Sequence, residues 1–334
     1  MKLKILKSWL DNDILEISKR ILRLSDTTQL LRSELHCHNT YSNFMNCSTR
    51  VPFDCGVSIE QQLYLAYKKE INVLFVTNHN TLNGYQQICE YKNNHEKFNN
   101  IKVYPAEEIT VNTNGHILAF GIDKEIKPGM TIDETIDEIH KYNGISCAAH
   151  PFAVSNGIRE NARKCNIIES FNSNNIDCYS NIVAEKFASE NKMIRIAGSD
   201  SHVESTFGRC TNTIESENNL DSILQSMLKG LINIEKEEYA LKKELFEHAH
   251  YILSSSKDQI LNYVSENHRS KYTIVKWALN SFLSNPNSHL WKTLGSLGLY
   301  LSKRMSHKVN IKGLNPLVFE NRSWKTLISL SLIP

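Results

Sequence analysis

The strongest constraint on this chain is a rhythm. Short apolar runs alternate with segments of helical periodicity from Leu30 onward, and the histidines and carboxylates gather where the runs end. Val73, Leu74, Phe75 and Val76 make one such run, after a helical stretch at 59–69. Further runs follow at 101–105, 117–120, 145–149, 167–171 and 194–198, with helical stretches at 132–142 and 181–191 among them. Short apolar strands interleaved with helices predict a parallel α/β architecture. In parallel barrels the chemistry sits where strands hand over to loops at their C-terminal ends. A helix at 220–229, stopped by Gly230, is expected to end this part of the chain.

The first handover is Glu34-Leu35-His36-Cys37-His38. Residues two apart on a strand share a face, so His36 and His38 present two imidazoles side by side before the polar loop 39–43. Such a pair is common by accident and gains meaning only from partners. The partners are His79 after the run 73–76, Glu107 and Glu108 after 101–105, His116 just before 117–120, His150 at the end of 145–149, and Asp200 with His202 after 194–198. Any one of these alone is as easily a cap or a core hydrogen-bonder. Together, imidazoles and carboxylates at successive strand ends are the donor set of a multinuclear zinc, manganese or iron site. Glu107 and Glu108 face opposite ways on a strand, and spacing leaves the choice between them open.

The flanks read differently. Residues 3–24 carry apolar positions at helical spacing and are expected to form one or two amphipathic helices, a helical extension over 1–30. Charge enters the first eleven residues too early for a signal peptide, and no apolar run nears the roughly 18 residues of a membrane span, so a cytoplasmic protein without membrane contact is expected. Eight scattered cysteines, with no Cys-x-x-Cys, read as reduced thiols. From 234 to 334 the pattern is helical throughout, with expected helices near 236–253, 257–264, 273–283, 289–305 and 324–332. This region is basic: from Asn267 to Pro334 ten Lys and Arg face a single acid, Glu320, which favours phosphate-bearing partners. The same cations equally suit the solvated sides of helices that pack through Trp277, Trp291 and Leu294.

Over about residues 31–229 the motifs resemble the polymerase and histidinol phosphatase (PHP) superfamily of metal-dependent phosphoesterases. The resemblance rests on Glu34–His38, Thr77-Asn78-His79-Asn80-Thr81, Glu108-Ile109-Thr110, His116, Ala149-His150-Pro151, Glu169-Ser170-Phe171-Asn172 and Gly198-Ser199-Asp200-Ser201-His202. It implies a distorted (β/α)7 TIM-like barrel over 31–233, with two or three divalent metals (Mn, Zn or Fe) at its C-terminal rim. By position His36, His38, Glu108 and Asp200 would surround one metal. Glu108 would bridge to a second, held by His116 and His150, and His79 with His202 would hold a third. The Glu-Ile-Thr pattern selects Glu108 over Glu107. Asn43 and Asn78 stand where the family usually has aspartate, and each exchange weakens attraction for a cation.

The reaction so implied is hydrolysis of a phosphate ester by a metal-activated hydroxide, with Asp200 or His202 moving protons. Arg159, Arg163 and Arg209 are expected substrate-binding cations, with an ordinary solvated loop as the slightly favoured alternative for each. Substrates in view are a phosphorylated small molecule, a nucleotide or a nucleic-acid end, with a nucleic acid or a protein contacted through the basic helices. Two other readings compete. One is a metal-stabilised scaffold that has lost activity and binds a partner through its helical tail, for which Asn43 and Asn78 speak. The other is amide hydrolysis on the same metals, which ranks last because Glu108, not a lysine, fills the bridging position.

Overall fold

A computed structural model describes residues 28–45 and 52–319. The helical extension expected over 1–30 and the helix expected at 324–332 lie outside these residues, apart from the start of the first strand. Among the described residues nine strands form one sheet in the order β7-β6-β5-β4-β3-β2-β1-β8-β9: β1 (Gln29–Glu34), β2 (Val73–Val76), β3 (Lys102–Thr110), β4 (His116–Phe120), β5 (Ile145–Ala148), β6 (Ile167–Asn172), β7 (Ile194–Gly198), β8 (Thr211–Ser216) and β9 (Ile232–Lys236). Helices α1 (Ile59–Lys68), α2 (Tyr85–Asn93), α3 (Ile132–Lys141), α4 (Tyr179–Glu190) and α5 (Leu220–Leu228) fall between strands. Local chemistry fixes their starts. Ser58 and Thr131 open α1 and α3 with reciprocal capping boxes to Gln61 and Glu134.

The sheet curls into a barrel that its main chain closes at one end only. Asp200 N donates to His36 O (2.7 Å) and His38 N to Ser201 O (3.1 Å), which joins the extensions of β1 and β7 directly. Lower down, β8 and β9 wedge in beside β1, and the Asn212 side chain spans to Ala197 of β7, accepting from its N–H and donating to its carbonyl. Apolar side chains from the strands, Leu35, Phe75, Leu118, Phe120 and Ile196 among them, fill one core beneath that closed rim. Two further clusters join the sheet to its helices, one around Ile109, Ile117 and Ile139, the other around Leu63, Leu74 and Phe98. Full burial of each such side chain contributes about 1.5–3 kcal/mol.

The architecture is α/β, yet it is less uniformly parallel than the strand–helix rhythm predicts. β4 runs antiparallel to both β3 and β5. Only residues 111–115 separate β3 from β4, too few for a crossover, so a hairpin is the only connection available. β8 and β9 add an antiparallel edge, and β9 runs across the boundary expected at residue 233.

Beyond β9 the chain is helical: α6 (Lys242–Ser255), α7 (Lys257–Asn267), α8 (Tyr272–Ser284) and α9 (His289–Asn310). These helices grip the barrel at two places. His248 and Tyr251 of α6 reach the segment 54–56, and Ser306 and Asn310 of α9 bond to Asp177, Ser180 and Phe152. Among the described residues no helix is long and apolar enough to cross a membrane.

Candidate metal centre

Each donor expected from the sequence lies on a strand or just beyond its end. β1 stops at Glu34, and Cys37 then pairs with Ser201 in an isolated parallel bridge. His36 and His38 flank that bridge and leave on the same side. On β3 the alternation separates two neighbours: Glu108 points into the rim, while Glu107 turns outward to accept from the Ile126 N–H at 3.1 Å. His116 starts β4, His150 follows β5, and Asp200 and His202 follow β7.

Three groups of donors result: His36, His38, Glu108 and Asp200; His79, Glu108 and His116; and His38, Asp54, His79 and His202. In the first, His36 Nε2 lies 3.4 Å from Glu108 Oε2 and 3.5 Å from Asp200 Oδ1, and His38 Nε2 lies 3.2 and 3.4 Å from the same two atoms. Four ligands held tetrahedrally at ~2.1 Å stand ~3.4 Å apart, which is the spacing seen. The other Glu108 oxygen meets His116 Nδ1 at 2.7 Å and His150 Nε2 at 3.0 Å. One carboxylate thus faces two donor sets.

Orphaned atoms support the same fit. His36 Nε2, His38 Nε2, His79 Nδ1, His150 Nδ1, Glu108 Oε2 and Asp54 Oδ2 are buried without a hydrogen-bond partner. A buried polar atom left this way costs about 1–3 kcal/mol unless something else engages it. Glu108, Asp200, Asp54 and Glu169 are carboxylates whose charge partners, among the described residues, are histidines and never lysine or arginine. Burial opposes ionisation of Glu108, but His79, His116 and His36 outweigh it and hold its carboxyl well below the usual range. Asp200 is lowered against burial in the same way by His36, His38 and His202. Burial, helped by the neighbouring His38 and His116, pushes the His79 imidazole down to about 3, a neutral donor at any ordinary pH. Dense neutral imidazole and ionised carboxylate are what a divalent cation requires.

Supporting groups fix the donors. His36 Nδ1 meets Glu169 Oε1 at 2.9 Å, which leaves Nε2 free toward the cluster, and Glu169 Oε2 accepts the His150 N–H (2.6 Å) and Asn172 Nδ2 (3.0 Å). Asn172 Nδ2 also reaches Asp200 Oδ2 at 3.2 Å. His38 Nδ1 pairs with Ser42 Oγ (3.0 Å), and His202 Nδ1–H donates to the Asp200 carbonyl (2.9 Å). A carboxylate or carbonyl behind a ligating imidazole sets its tautomer and raises its basicity. Glycine is required at 198: a Cβ there would overlap Glu169 Oε1 and come within 2.7 Å of the His36 Cβ.

Asp54 has no counterpart among the residues expected from the sequence. Its Oδ2 lies 3.2 Å from His202 Nε2 and 3.6 Å from His79 Nε2. Asn43, which stands where an aspartate ligand was expected, holds Asp54 in place instead: Asn43 Oδ1 accepts from Asp54 N (2.7 Å) and Cys55 N (2.9 Å). Asn78 is likewise a loop organiser, accepting from Asn39 N (2.9 Å) and donating to Asn83 O (2.9 Å). The only hint of Asp54 in the sequence is an acid just before Cys55-Gly56 and the Ser58 cap.

The three expected substrate cations fare differently. Arg159, in the left-handed region at φ 55°, stacks on Phe152 and donates Nη2 to Asn310, while its buried Nη1 lacks a partner. Arg163 is exposed on the 3-10 turn Arg159–Lys164. Arg209 is engaged by Glu238 and the buried Glu244.

Residues 179–231 match the family described as PHP-associated. An uncharacterized protein of Methanocaldococcus jannaschii, MJ1587, is 29% identical over 124 residues, covering 37% of this chain and 69% of its own length. Among solved structures, PsfC from Pseudomonas syringae superposes with a TM-score of 0.48 at 16% identity, over 68% of this chain and 99% of that one. The lesion-specific endonuclease PfuEndoQ of Pyrococcus furiosus gives 0.45 at 15% identity, over 62% of this chain and 58% of that one. The PHP-associated match falls on α4 through the loop before β9, and the rim of the same barrel gathers His36, His38, His79, Glu108, His116, His150, Asp200 and His202.

Proposed function

We propose that this protein is a metal-dependent phosphoesterase that holds two or three divalent cations (manganese, zinc or iron) at the barrel rim. The observation that carries the reading is the division of Glu108, one oxygen toward His36 and His38 and the other toward His116 and His150. A carboxylate shared in this way is suited to hold two cations side by side. His36, His38, Glu108 and Asp200 would hold the first, and Glu108, His116 and His150 the second. Asp54, His79 and His202, gathered beside His38, have the composition of a third site. Divalent cations supply Lewis acidity there, lowering the pKa of water and offsetting charge on a phosphoryl group.

The chain's own residues do the rest. Glu169 and Ser42 hold His36 and His38 in the donor tautomer, and Asn172 fixes Asp200 through Oδ2 so that Oδ1 faces the cluster. Asp200 and His202 are the groups placed to move the proton to the leaving oxygen. Arg159, with Nη1 unpartnered, is the cation best disposed to receive a substrate phosphate. Arg209, neutralised by two glutamates, is better read as a fastener of α6.

The substrate is a phosphate ester of a small molecule, a nucleotide or a nucleic-acid end. The excess of ten cations over one acid after Asn267 favours the phosphate-rich partners among these, as does the position of the helical region against the rim. Free thiols at all seven described cysteines suit a reducing compartment such as the cytoplasm. The test is turnover of an aryl phosphate and of short oligonucleotides with added Mn(II) or Zn(II), in wild type and in His36→Ala and Asp200→Ala. We expect at least a thousandfold loss in both variants. Wild-type turnover by a variant that still lacks its side chain would refute the assignment.

A further inference from the structure

We infer that α6 is a working part of the candidate metal centre, with His248 as the positioning residue for Asp54. The inference rests on the proposed metal-dependent function only in taking Asp54, His79 and His202 as the donors of a cation site.

Asp54 needs outside help. It belongs to no helix or strand, so nothing in the sheet dictates where its carboxylate points. Its segment is tied to the barrel by Gly56 N donating to His202 O (3.0 Å) and Thr40 N to Val57 O (2.9 Å). On the other side it meets α6. His248 Nε2 lies 2.7 Å from the Asp54 carbonyl, which can only accept, so this nitrogen carries the proton and donates. The same imidazole lies against His202, ring centroids 4.9 Å apart. Three residues further on, Tyr251 takes a hydrogen bond from Asn43 Nδ2 (3.1 Å), and Asn43 in turn holds the Asp54 and Cys55 N–H groups.

The fit is close. A Cβ on Gly56 would stand 2.9 Å from the Tyr251 ring, so only glycine admits the helix at this distance. Glu244, His248 and Tyr251 fall on one face of α6 by their spacing of four and three. Glu244 anchors that face to Arg209, and Ser205 ties the neighbouring Glu247. One helical face thus touches Asp54, His202 and Asn43 together. Groups behind a metal ligand change affinity by about ten- to a hundredfold when lost, because the ligand must then be ordered by the cation itself. His248 therefore tunes the third position and leaves the Glu108-bridged pair alone.

The test is metal stoichiometry on the full chain. Protein stripped with chelator is titrated with Mn(II), counting bound equivalents by mass spectrometry and affinities by calorimetry. In His248→Ala one equivalent should weaken by about ten- to a hundredfold while two keep wild-type affinity. His248→Gln, which keeps a donor N–H near the Asp54 carbonyl, should recover most of it, and Tyr251→Phe should weaken the same equivalent more mildly. Three equivalents at wild-type affinity in His248→Ala would overturn the inference. So would parallel weakening of all three, or a wild type that binds only two. If the wild type hydrolyses no phosphate ester while His248→Ala still weakens one equivalent, the phosphoesterase reading fails and the positioning role stands.

Discussion

Glu107 and Glu108 are neighbours on one strand, and their environments predict opposite responses to pH. Glu107 is fully buried, accepts one hydrogen bond, from the Ile126 N–H, and has its other oxygen unpartnered. Burial, reinforced by the nearby Glu125 charge, pushes its carboxyl up to about 8 from an ordinary 4.5. A folded-state pKa raised in this way gives stability that is fully present below 4.5 and drains away as pH rises through about 8. At 1.36 kcal/mol per unit, the loss between about pH 5 and about pH 8.5 is roughly 4 kcal/mol. Glu107→Gln resembles the protonated carboxyl and does not titrate. Any desolvation cost of the amide is the same at every pH, so the slope is the readout rather than the absolute stability. Urea denaturation from pH 5 to 9 should show wild type losing several kcal/mol relative to the variant, with metal content unchanged. Parallel curves would refute the reasoning, and loss of metal in Glu107→Gln would return Glu107 to the ligand set. Glu108→Gln should instead release metal at every pH, because its carboxylate is held ionised by His79, His116 and His36.

Two further substitutions probe the supporting groups. Gly198→Ala forces a Cβ into Glu169 Oε1 and should cost roughly 2–4 kcal/mol, through overpacking and the loss of a buried bond to His36, with metal released in step; a wild-type melting temperature and metal content would contradict this. Asn43→Asp introduces the acid that the motif resemblance implies at this position, yet it removes the amide donor to Cys55 O and Tyr251 and sets a carboxylate against that carbonyl. It should destabilise by roughly 1–3 kcal/mol and add no metal affinity, and a gain of affinity in a titration would show that Asp54 is not the functional acid.

The contrast between Asn43 and Asp54 shows where sequence reasoning reaches and where it stops. Strand-end histidines are legible because a run such as Val73–Val76 announces its own end, and the residue after it has few roles to play. Asp54 gives no such signal, because it lies in irregular chain eleven residues past Asn43, and only folding brings it to His202. β8 and β9 also escape notice: Thr211-Asn212-Thr213-Ile214-Glu215-Ser216 is polar at most positions, and its strand character comes from pairing with β1 rather than from its own pattern. Glu169 was visible as part of a motif but not in its role, since only the structure shows its carboxylate behind His36. The extensions of the first and seventh strands, 36–38 and 200–201, bond directly to one another, so the opening and closing motifs of the barrel meet at one point on its rim. The donors on either side of that seam are fixed by main-chain geometry. Asp54, outside the seam, is free to be supplied by any segment that reaches the rim, and in this chain the helical region is what holds that segment in place.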